Sequence, residues 1–336
     1  MKAAVISGPE KVEIIEKLKP QAGPGEILVR VQYCGICGSD LHAFHSGFLP
    51  PDLTIGHEFA GLVSEVGPGC GSWSPGDRVT GNNIIVCGSC SFCLSGAEDR
   101  CPEMRRLGIT GQGALAEYVV LPARNLHKIP DTAPLELAAL SEPLSVGLHA
   151  VNRVQTAAAE NALIIGAGTV GLVVLALLKL RGIKTVLVME PDPDRAAVAA
   201  AMGAAALIDP GRENPAAAVE RLTDGRGAAL VFECAGLPVT IQEACSLAAP
   251  GSPVIVLSIC YQPVELNFLS LVTREIDIKT AFGKTAAEFK EAVRLIGDQA
   301  IDLRPLISAI EPFDSLETAF KAAGRENIKT LVDLRS

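Results

Sequence analysis

Aromatic side chains are scarce in this sequence: one Trp, three Tyr and ten Phe among 336 residues, 4% in all. Charge is also thin, at 20%, whereas 49% of the residues are hydrophobic. That balance excludes a disordered or fibrous chain and fits an α/β protein with an ample core. Runs of Lys or Arg are missing and the formal net charge is −9. An acidic chain without basic clusters is not expected to bind nucleic acid or an anionic membrane. The longest apolar run, LVVLALL after Gly171, is too short to cross a bilayer. The first residues, MKAAVISGPEKVEIIEKL, lack a basic segment leading into an apolar one, so no secretory signal is expected. The cytoplasm is therefore the expected compartment. Repeats and low-complexity segments are absent, and a chain of 336 residues is long enough for two or three domains.

What is present begins with cysteine. Ten occur, and four crowd into VCGSCSFCLSGAEDRCPE, residues 86–103. In a reducing compartment such thiols suggest metal binding or burial rather than disulfides. Cys87, Cys90 and Cys93 are three apart, and Cys101 follows eight later, just before Pro102. Bacterial ferredoxins hold an iron–sulfur cluster with C-x2-C-x2-C-x3-C-P. Zinc accepts four thiolates from almost any compact loop. At this level both metals stay open.

Three stretches of different character follow one another. Residues 1–145 carry short β patterns broken by Gly and Pro. In EILVRVQYC, the residues Ile27, Val29, Val31 and Tyr33 alternate, which predicts a half-buried strand. FAGLVSEVG and GDRVTGN predict further strands. Over 150–283, apolar runs (ALIIG, TVLVME, AALVFECAG, PVIVLS) alternate with Ala-rich helical stretches, including 196–206. This βαβ rhythm predicts a parallel sheet covered on both faces. Residues 285–336 predict a helix at AAEFKEAVRLI, a second near LETAFKAAG and a last strand near IKTLVDL.

The run ALIIGAGTVGLVVLALL places Gly166, Gly168 and Gly171 as G-x-G-x-x-G, with Ala167, Thr169 and Val170 between them. The first glycine permits a tight turn, the second lets backbone approach a pyrophosphate, and the third lets helix pack on strand. The helix N-terminus adds donors and partial positive charge. Further on, KTVLVME ends in Glu190, placed to accept hydrogen bonds from ribose hydroxyls. Pro191, Asp192, Pro193 and Asp194 follow, and Arg195 is the nearby cation, most simply paired with Asp192 or Asp194. The acidic strand end predicts NAD rather than NADP.

GICGSDLH holds Cys37, and LTIGHEFAG holds His57 and Glu58. Thiolate, imidazole and carboxylate make a good zinc set with room for a further ligand. Each alone has a plainer reading: a buried small thiol, a loop histidine, a surface acid. Glu142, in LSEPLSVGLHAV, could equally be an acid favoured at a helix N-terminus.

With these residues in view, the chain resembles the zinc-dependent medium-chain dehydrogenase/reductase superfamily over essentially its whole length. The resemblance is carried by the ordered series GICGSDLH, GHEFAG, GDRV, C-x2-C-x2-C-x7-C, ALAEYVVLPARN, EPLSVGLHA and GAGTVG. EPLSVGLHA looks most like the polyol (sorbitol-type) dehydrogenases, with threonine and butanediol dehydrogenases as cousins. The resemblance implies two zinc ions per chain. A structural one would be held by Cys87, Cys90, Cys93 and Cys101. The spacing before Cys101 departs from the ferredoxin pattern, and four thiolates leave no open position for substrate. A catalytic one would be held by Cys37, His57 and Glu58, with Glu142 bound directly or through water. Ser39 matches the hydroxyl that contacts the reacting oxygen, and His42 matches a residue that relays the proton or touches the cofactor ribose. His149 is expected only to pack in the linking helix.

The implied fold is a Rossmann doubly wound parallel sheet plus a discontinuous chaperonin-10-like β-barrel catalytic domain. Residues 1–148 and 285–336 would form the catalytic domain, with the zinc lobe at 86–102, and 149–284 the NAD-binding domain. The implied activity is hydride transfer between a secondary alcohol and NAD, giving the ketone. The substrate would be a polyol, sugar alcohol or sugar derivative; threonine or a vicinal diol is the alternative. A metal-free quinone-reductase-like enzyme conflicts with the ligand set, and an inactive binding homologue should show a broken one. Such enzymes are homodimers or homotetramers joined through the Rossmann sheet edge, here the VIVLSICY strand and the IDIKTAF stretch.

Overall fold

The computed structural model of the protein describes residues 1–95, 98–157, 159–324 and 326–335. The chain forms two compact units. One comprises Met1–Glu142, Phe289–Ala300 and Ile307–Ser336; the other comprises Pro143–Glu288 and Ile301–Leu306. Ile301–Leu306 groups with the second unit.

The first unit is built on a seven-stranded sheet. Its strands run in the order Ile307–Pro312, Lys329–Asp333, Glu26–Gly35, Glu58–Val66, Arg78–Gly81 and Leu126–Lys128, with Tyr118–Pro122 also pairing to Glu26–Gly35. All pairings are antiparallel except that of Ile307–Pro312 with Lys329–Asp333. The strand Glu26–Gly35 was expected to be half-buried. It is instead buried on both faces, with Arg30 its one exposed residue. Leu28, Gln32 and Cys34 are covered as well as Ile27, Val29 and Val31, because the strand runs through the middle of the sheet. This buried centre carries the ends of the strands that bear the site.

The second unit holds six parallel strands in the order Ala206–Ile208, Thr185–Met189, Asn161–Ile165, Val231–Glu233, Pro253–Val256 and Asp277–Thr280. This is the doubly wound Rossmann order, which reverses between the Asn161–Ile165 and Val231–Glu233 strands. Every residue of Asn161–Ile165 is buried, as the apolar run requires of a strand covered on both faces. The helix Thr169–Leu180 buries Leu172, Val173, Val174, Leu175, Leu177 and Leu178, so it too is apolar almost all round. The Ala-rich stretch is only partly helical. Its helix, Pro193–Ala201, stops before Gly203, whose φ of +90° suits a glycine beyond a helix end, and Ala206–Ile208 turns into strand. The strand in VIVLSICY is Pro253–Val256, and it is flanked on both sides. Only Asp277–Thr280 stands at that edge of the sheet. Among the described residues, no helix is long and apolar enough to cross a membrane.

Candidate functional site

The first unit gathers Cys37, His57 and Glu58, each offering one ligand atom, with those atoms within 4.8 Å of one another. The sheet explains how. Leu331, Gly35 and Glu58 are direct neighbours across three adjacent strands. Side chains two apart on a strand share a face, so Lys329 stands on the same face as Leu331 and Glu58. Gly35 must lack a side chain there: a Cβ would collide with the Glu58 carboxylate. Cys37 follows just past the end of the Glu26–Gly35 strand and caps the helix Gly38–Ser46.

Two residues that the sequence motifs did not single out complete the cluster. Lys329 donates to Glu58 Oε1 at 2.9 Å, to Glu58 Oε2 at 2.6 Å and to the Ile36 carbonyl at 2.9 Å. The two side chains are 2% and 1% exposed, so this is an ion pair out of water. Burial opposes the Lys329 ammonium, but Glu58, Cys37 and Glu142 outweigh it and hold the amine above its ordinary range. Asp40 is 2% exposed. It accepts the Cys37 N–H at 2.9 Å and lies 3.8 Å from His57 Nδ1. Burial raises the Asp40 carboxyl, while His57 and the Cys37 N–H oppose the rise. Burial disfavours a charged His57 as well, yet Asp40, Cys37 and Glu142 more than offset it, and the imidazole is pushed up to about 10. Its Nδ1 is buried without a hydrogen-bond partner among the described residues. A half-buried thiol, a buried carboxylate and a buried imidazole with an unsatisfied nitrogen fit a zinc-type cation, which would bind the imidazole in its neutral form.

Glu142 is buried in the first turn of the helix Ser141–Asn152 and stands outside the 4.8 Å group. It remains near enough to act on His57 and Lys329 through its charge. Ser39 and His42 lie on the helix Gly38–Ser46, both half-buried, and the His42 ring packs 5.7 Å from that of Phe48. His149 Nδ1 meets Glu288 Oε2 at 3.0 Å in the second unit, a packing role.

Cys87, Cys90, Cys93 and Cys101 form the second cluster. Cys93 Sγ lies 3.5 Å from Cys90 Sγ and 3.9 Å from Cys87 Sγ. A zinc–sulfur bond of about 2.3 Å implies a tetrahedral edge of about 3.8 Å, which these separations bracket. An iron–sulfur cluster, which places iron and sulfide between its thiolates, would spread them further. All ten cysteines are free thiols. Backbone N–H groups of Ser89 and Cys90 point at Cys87 Sγ and bring that thiol down to about 6. Desolvation and the neighbouring sulfurs push Cys93 up to about 12. One thiolate forms readily and the next is resisted by its sulfur neighbours, a repulsion that a cation among the four would relieve.

The glycine-rich turn lies in the second unit. Gly166 has φ +95°, with Ala235 packed where a Cβ would be. At Gly171 a Cβ would strike the Gly166 carbonyl, so helix and strand touch there. Gly168, before Thr169 and Val170, faces open space, the cradle a pyrophosphate needs. Glu190, 7% exposed, accepts the Ala167 N–H at 2.7 Å through Oε2 and the Asp192 N–H at 3.0 Å through Oε1. Asp192 caps the next helix by accepting the N–H groups of Asp194 and Arg195 at 2.9 and 3.0 Å.

Comparison with known proteins agrees with this arrangement. Residues 23–131 match the family described as alcohol dehydrogenase GroES-like domain, and residues 169–298 match zinc-binding dehydrogenase. The 2-dehydro-3-deoxy-L-galactonate 5-dehydrogenase of Pseudoalteromonas atlantica is 33% identical over 95% of this chain and 94% of its own. The L-threonine 3-dehydrogenase of Thermococcus kodakarensis is 34% identical over 92% of this chain and 90% of its own. A putative zinc-binding dehydrogenase from Sinorhizobium meliloti, solved bound to NADP, superposes with a TM-score of 0.90 at 31% identity, covering 99% of this chain and 98% of that one. The chain therefore belongs to the zinc-type alcohol dehydrogenases of the medium-chain dehydrogenase/reductase superfamily, oxidoreductases that act on CH–OH donors.

Proposed function

We propose that the chain is an NAD-dependent dehydrogenase that oxidises a secondary alcohol of a polyol or sugar-derived substrate to the ketone. The observation that carries this reading is the group of half-buried Cys37 with buried His57 and Glu58, in a chain whose other unit has the dinucleotide-binding order. Cys37 and His57 would hold a catalytic zinc, with Glu58 and Glu142 as the carboxylates around it. Cys87, Cys90, Cys93 and Cys101 would hold a structural zinc. The catalytic zinc, when bound, supplies Lewis acidity that makes a substrate hydroxyl easier to ionise. Ser39 would accept that hydroxyl's hydrogen bond. His42, three residues on along the same helix face, would take the proton onward. Gly166, Gly168, Thr169, Val170 and Gly171 would cradle the cofactor pyrophosphate, with Glu190 on the adenosine ribose and Arg195 beside it.

Acids around the catalytic group and the lack of Lys or Arg in HAFHSGFLPPDL support a neutral polyol. The threonine 3-dehydrogenase relatives support the second reading, an amino alcohol or vicinal diol. The protein would assemble as a homodimer or homotetramer through the Asp277–Thr280 edge, which light scattering would check. The decisive experiment is a cofactor-reduction screen of the zinc-loaded protein with NAD and NADP across polyols, sugar acids, diols and threonine. Polyols turning over fastest with NAD is the expected result. No turnover of any CH–OH donor would refute the reading, and a clear preference for threonine would replace it with the second.

A further inference from the structure

We propose that Glu233 is a positioning residue for the nicotinamide half of the cofactor, holding the turn after its strand in the shape that half requires; this rests on the dinucleotide reading given above. Glu233 ends the Val231–Glu233 strand and is 0% exposed. Its Oε1 accepts the N–H groups of Ala235 at 2.9 Å and Gly236 at 2.8 Å, and Thr240 Oγ1 lies 2.8 Å from the same oxygen. The Ser258 hydroxyl donates to Oε2. All four donors are neutral. A carboxylate taken out of water needs its oxygens met by donors, and here they come from two loops. Ala235, Gly236 and Thr240 follow the Val231–Glu233 strand, and Ser258 follows the neighbouring Pro253–Val256 strand. One side chain thus ties two loops together at the carboxyl edge of the sheet, where doubly wound folds bind their ligands.

The strand order reverses between Asn161–Ile165 and Val231–Glu233, and a dinucleotide lies across such a reversal with one mononucleotide on each half. Glu190, on the Thr185–Met189 side, serves the adenosine half. The other half falls to the loops after Val231–Glu233 and Pro253–Val256. The turn after Glu233 is packed from both sides. The Cys234 N–H donates to the Ile165 carbonyl at 2.9 Å, and the Ala235 Cβ lies 3.1 Å from where a Gly166 Cβ would be. Gly236, with φ +79°, has the Ile259 carbonyl oxygen 3.0 Å from the place of its own missing Cβ. Glu190 and Glu233 are counterparts, each an acid at a strand end that accepts N–H groups of the turn after it. They differ in access: Glu190 is 7% exposed and Glu233 not at all, so Glu233 acts through the turn it shapes and not by contact with the cofactor. The glycine-rich turn has separate anchors, the Gly166 N–H on the Met189 carbonyl at 2.8 Å and the Ala167 N–H on Glu190 at 2.7 Å. The two halves can therefore be perturbed independently.

The test measures two affinities on the whole zinc-loaded chain: NADH by its fluorescence, and ADP, which carries only the adenosine half and the pyrophosphate, by calorimetry. Glu233→Ala leaves the Ala235 and Gly236 N–H groups without their acceptor, so NADH should bind about tenfold more weakly. ADP should bind as it does to the parent. Glu233→Gln keeps an acceptor oxygen for the N–H groups and can donate its amide to Ser258 Oγ, so it should recover most of the NADH affinity. Ser258→Ala cuts only the tie to the neighbouring loop. It should also weaken NADH and spare ADP, and it decides the matter if Glu233→Ala does not fold. Equal loss of NADH and ADP in Glu233→Ala would make Glu233 a purely structural group and overturn the proposal. Parental NADH affinity in a folded Glu233→Ala, or in Ser258→Ala, would overturn it as well. Failure of the parent to bind either NADH or NADPH would instead remove the dinucleotide reading, and this proposal with it.

Discussion

The cofactor preference can be developed furthest, through Glu190→Gln and Glu190→Ala. Glu190 is anchored by the Ala167 and Asp192 N–H groups at 2.7 and 3.0 Å and cannot easily swing away from an incoming group. An adenosine 2′-phosphate arriving at the end of the Thr185–Met189 strand would meet this fixed charge. Two unit charges about 4 Å apart repel by about 4 kcal/mol at an effective dielectric near 20. The phosphate carries between one and two charges at neutral pH, while partial solvation works the other way. A net penalty of about 3 kcal/mol is a conservative figure, equal to more than a hundredfold in affinity. The parent enzyme should thus favour NAD over NADP by at least that factor in kcat/KM. Glu190→Gln keeps an acceptor for the Ala167 N–H while removing the charge, so NADP should gain about tenfold with little loss of stability. Glu190→Ala leaves the buried Ala167 N–H without its partner, which costs about 1–3 kcal/mol, so its melting temperature should also fall. Steady-state kinetics with both cofactors and a thermal melt check this. Parental kcat/KM values within tenfold of each other, or a ratio unmoved in Glu190→Gln, would refute the reasoning.

Other expectations follow from the two metal-type clusters. Cys37→Ser should give a folded, dinucleotide-binding protein without turnover, seen as a parental circular dichroism spectrum with cofactor affinity retained. Cys90→Ser opens one corner of the four-sulfur lobe, so zinc content should drop by one per chain and thermal stability should fall; iron in the metal analysis would refute the zinc assignment. Asp40→Asn removes the anion beside His57 and should cost about 10–100-fold in zinc affinity or activity, measured by chelator competition and kcat. Glu142→Ala should keep the fold and lose most turnover, whereas Glu58→Ala should also lose about 3–5 kcal/mol of stability, since it leaves Lys329 buried and unpaired; equal melting temperatures for the two variants would contradict this.

Much of the molecule is legible in the sequence because its signals are local. G-x-G-x-x-G, the acid at Glu190 and the alternation of apolar runs with helices fix the second unit from neighbouring residues. The four-cysteine lobe is equally local. Cys37, His57 and Glu58 are visible as residues bent into place by adjacent glycines. What stays hidden is long-range. Lys329 and Glu58 are 271 residues apart, and a lone lysine in IKTLVDL gives no hint that it points inward. Asp40 was visible only as part of GSDLH; a carboxylate three residues after a ligand cysteine is the signal that could have marked it. Two-sided burial of Glu26–Gly35 does not follow from the alternation of Ile27, Val29, Val31 and Tyr33 alone; Leu28 and Cys34 on the other face are as apolar and are covered too. The inner place of the Pro253–Val256 strand is equally hidden, because pairing partners are not written in a run of Pro, Val and Ile.

The wide separation of Lys329 from Glu58 also bears on how the protein is made. At about 5–20 residues per second, a ribosome that has added Glu58 needs roughly 15–55 s to reach Lys329. Throughout that interval Cys37 and His57 are already translated, while the amine that neutralises Glu58 does not yet exist. The acid has to stay in water until the closing strand arrives, so the first unit cannot seal its centre during synthesis. A metal ion meeting the nascent chain would find the thiol and imidazole exposed and no lysine competing for the carboxylate. Loading before release and loading after folding are then different reactions, with the last strand, Lys329–Asp333, as the door that shuts between them.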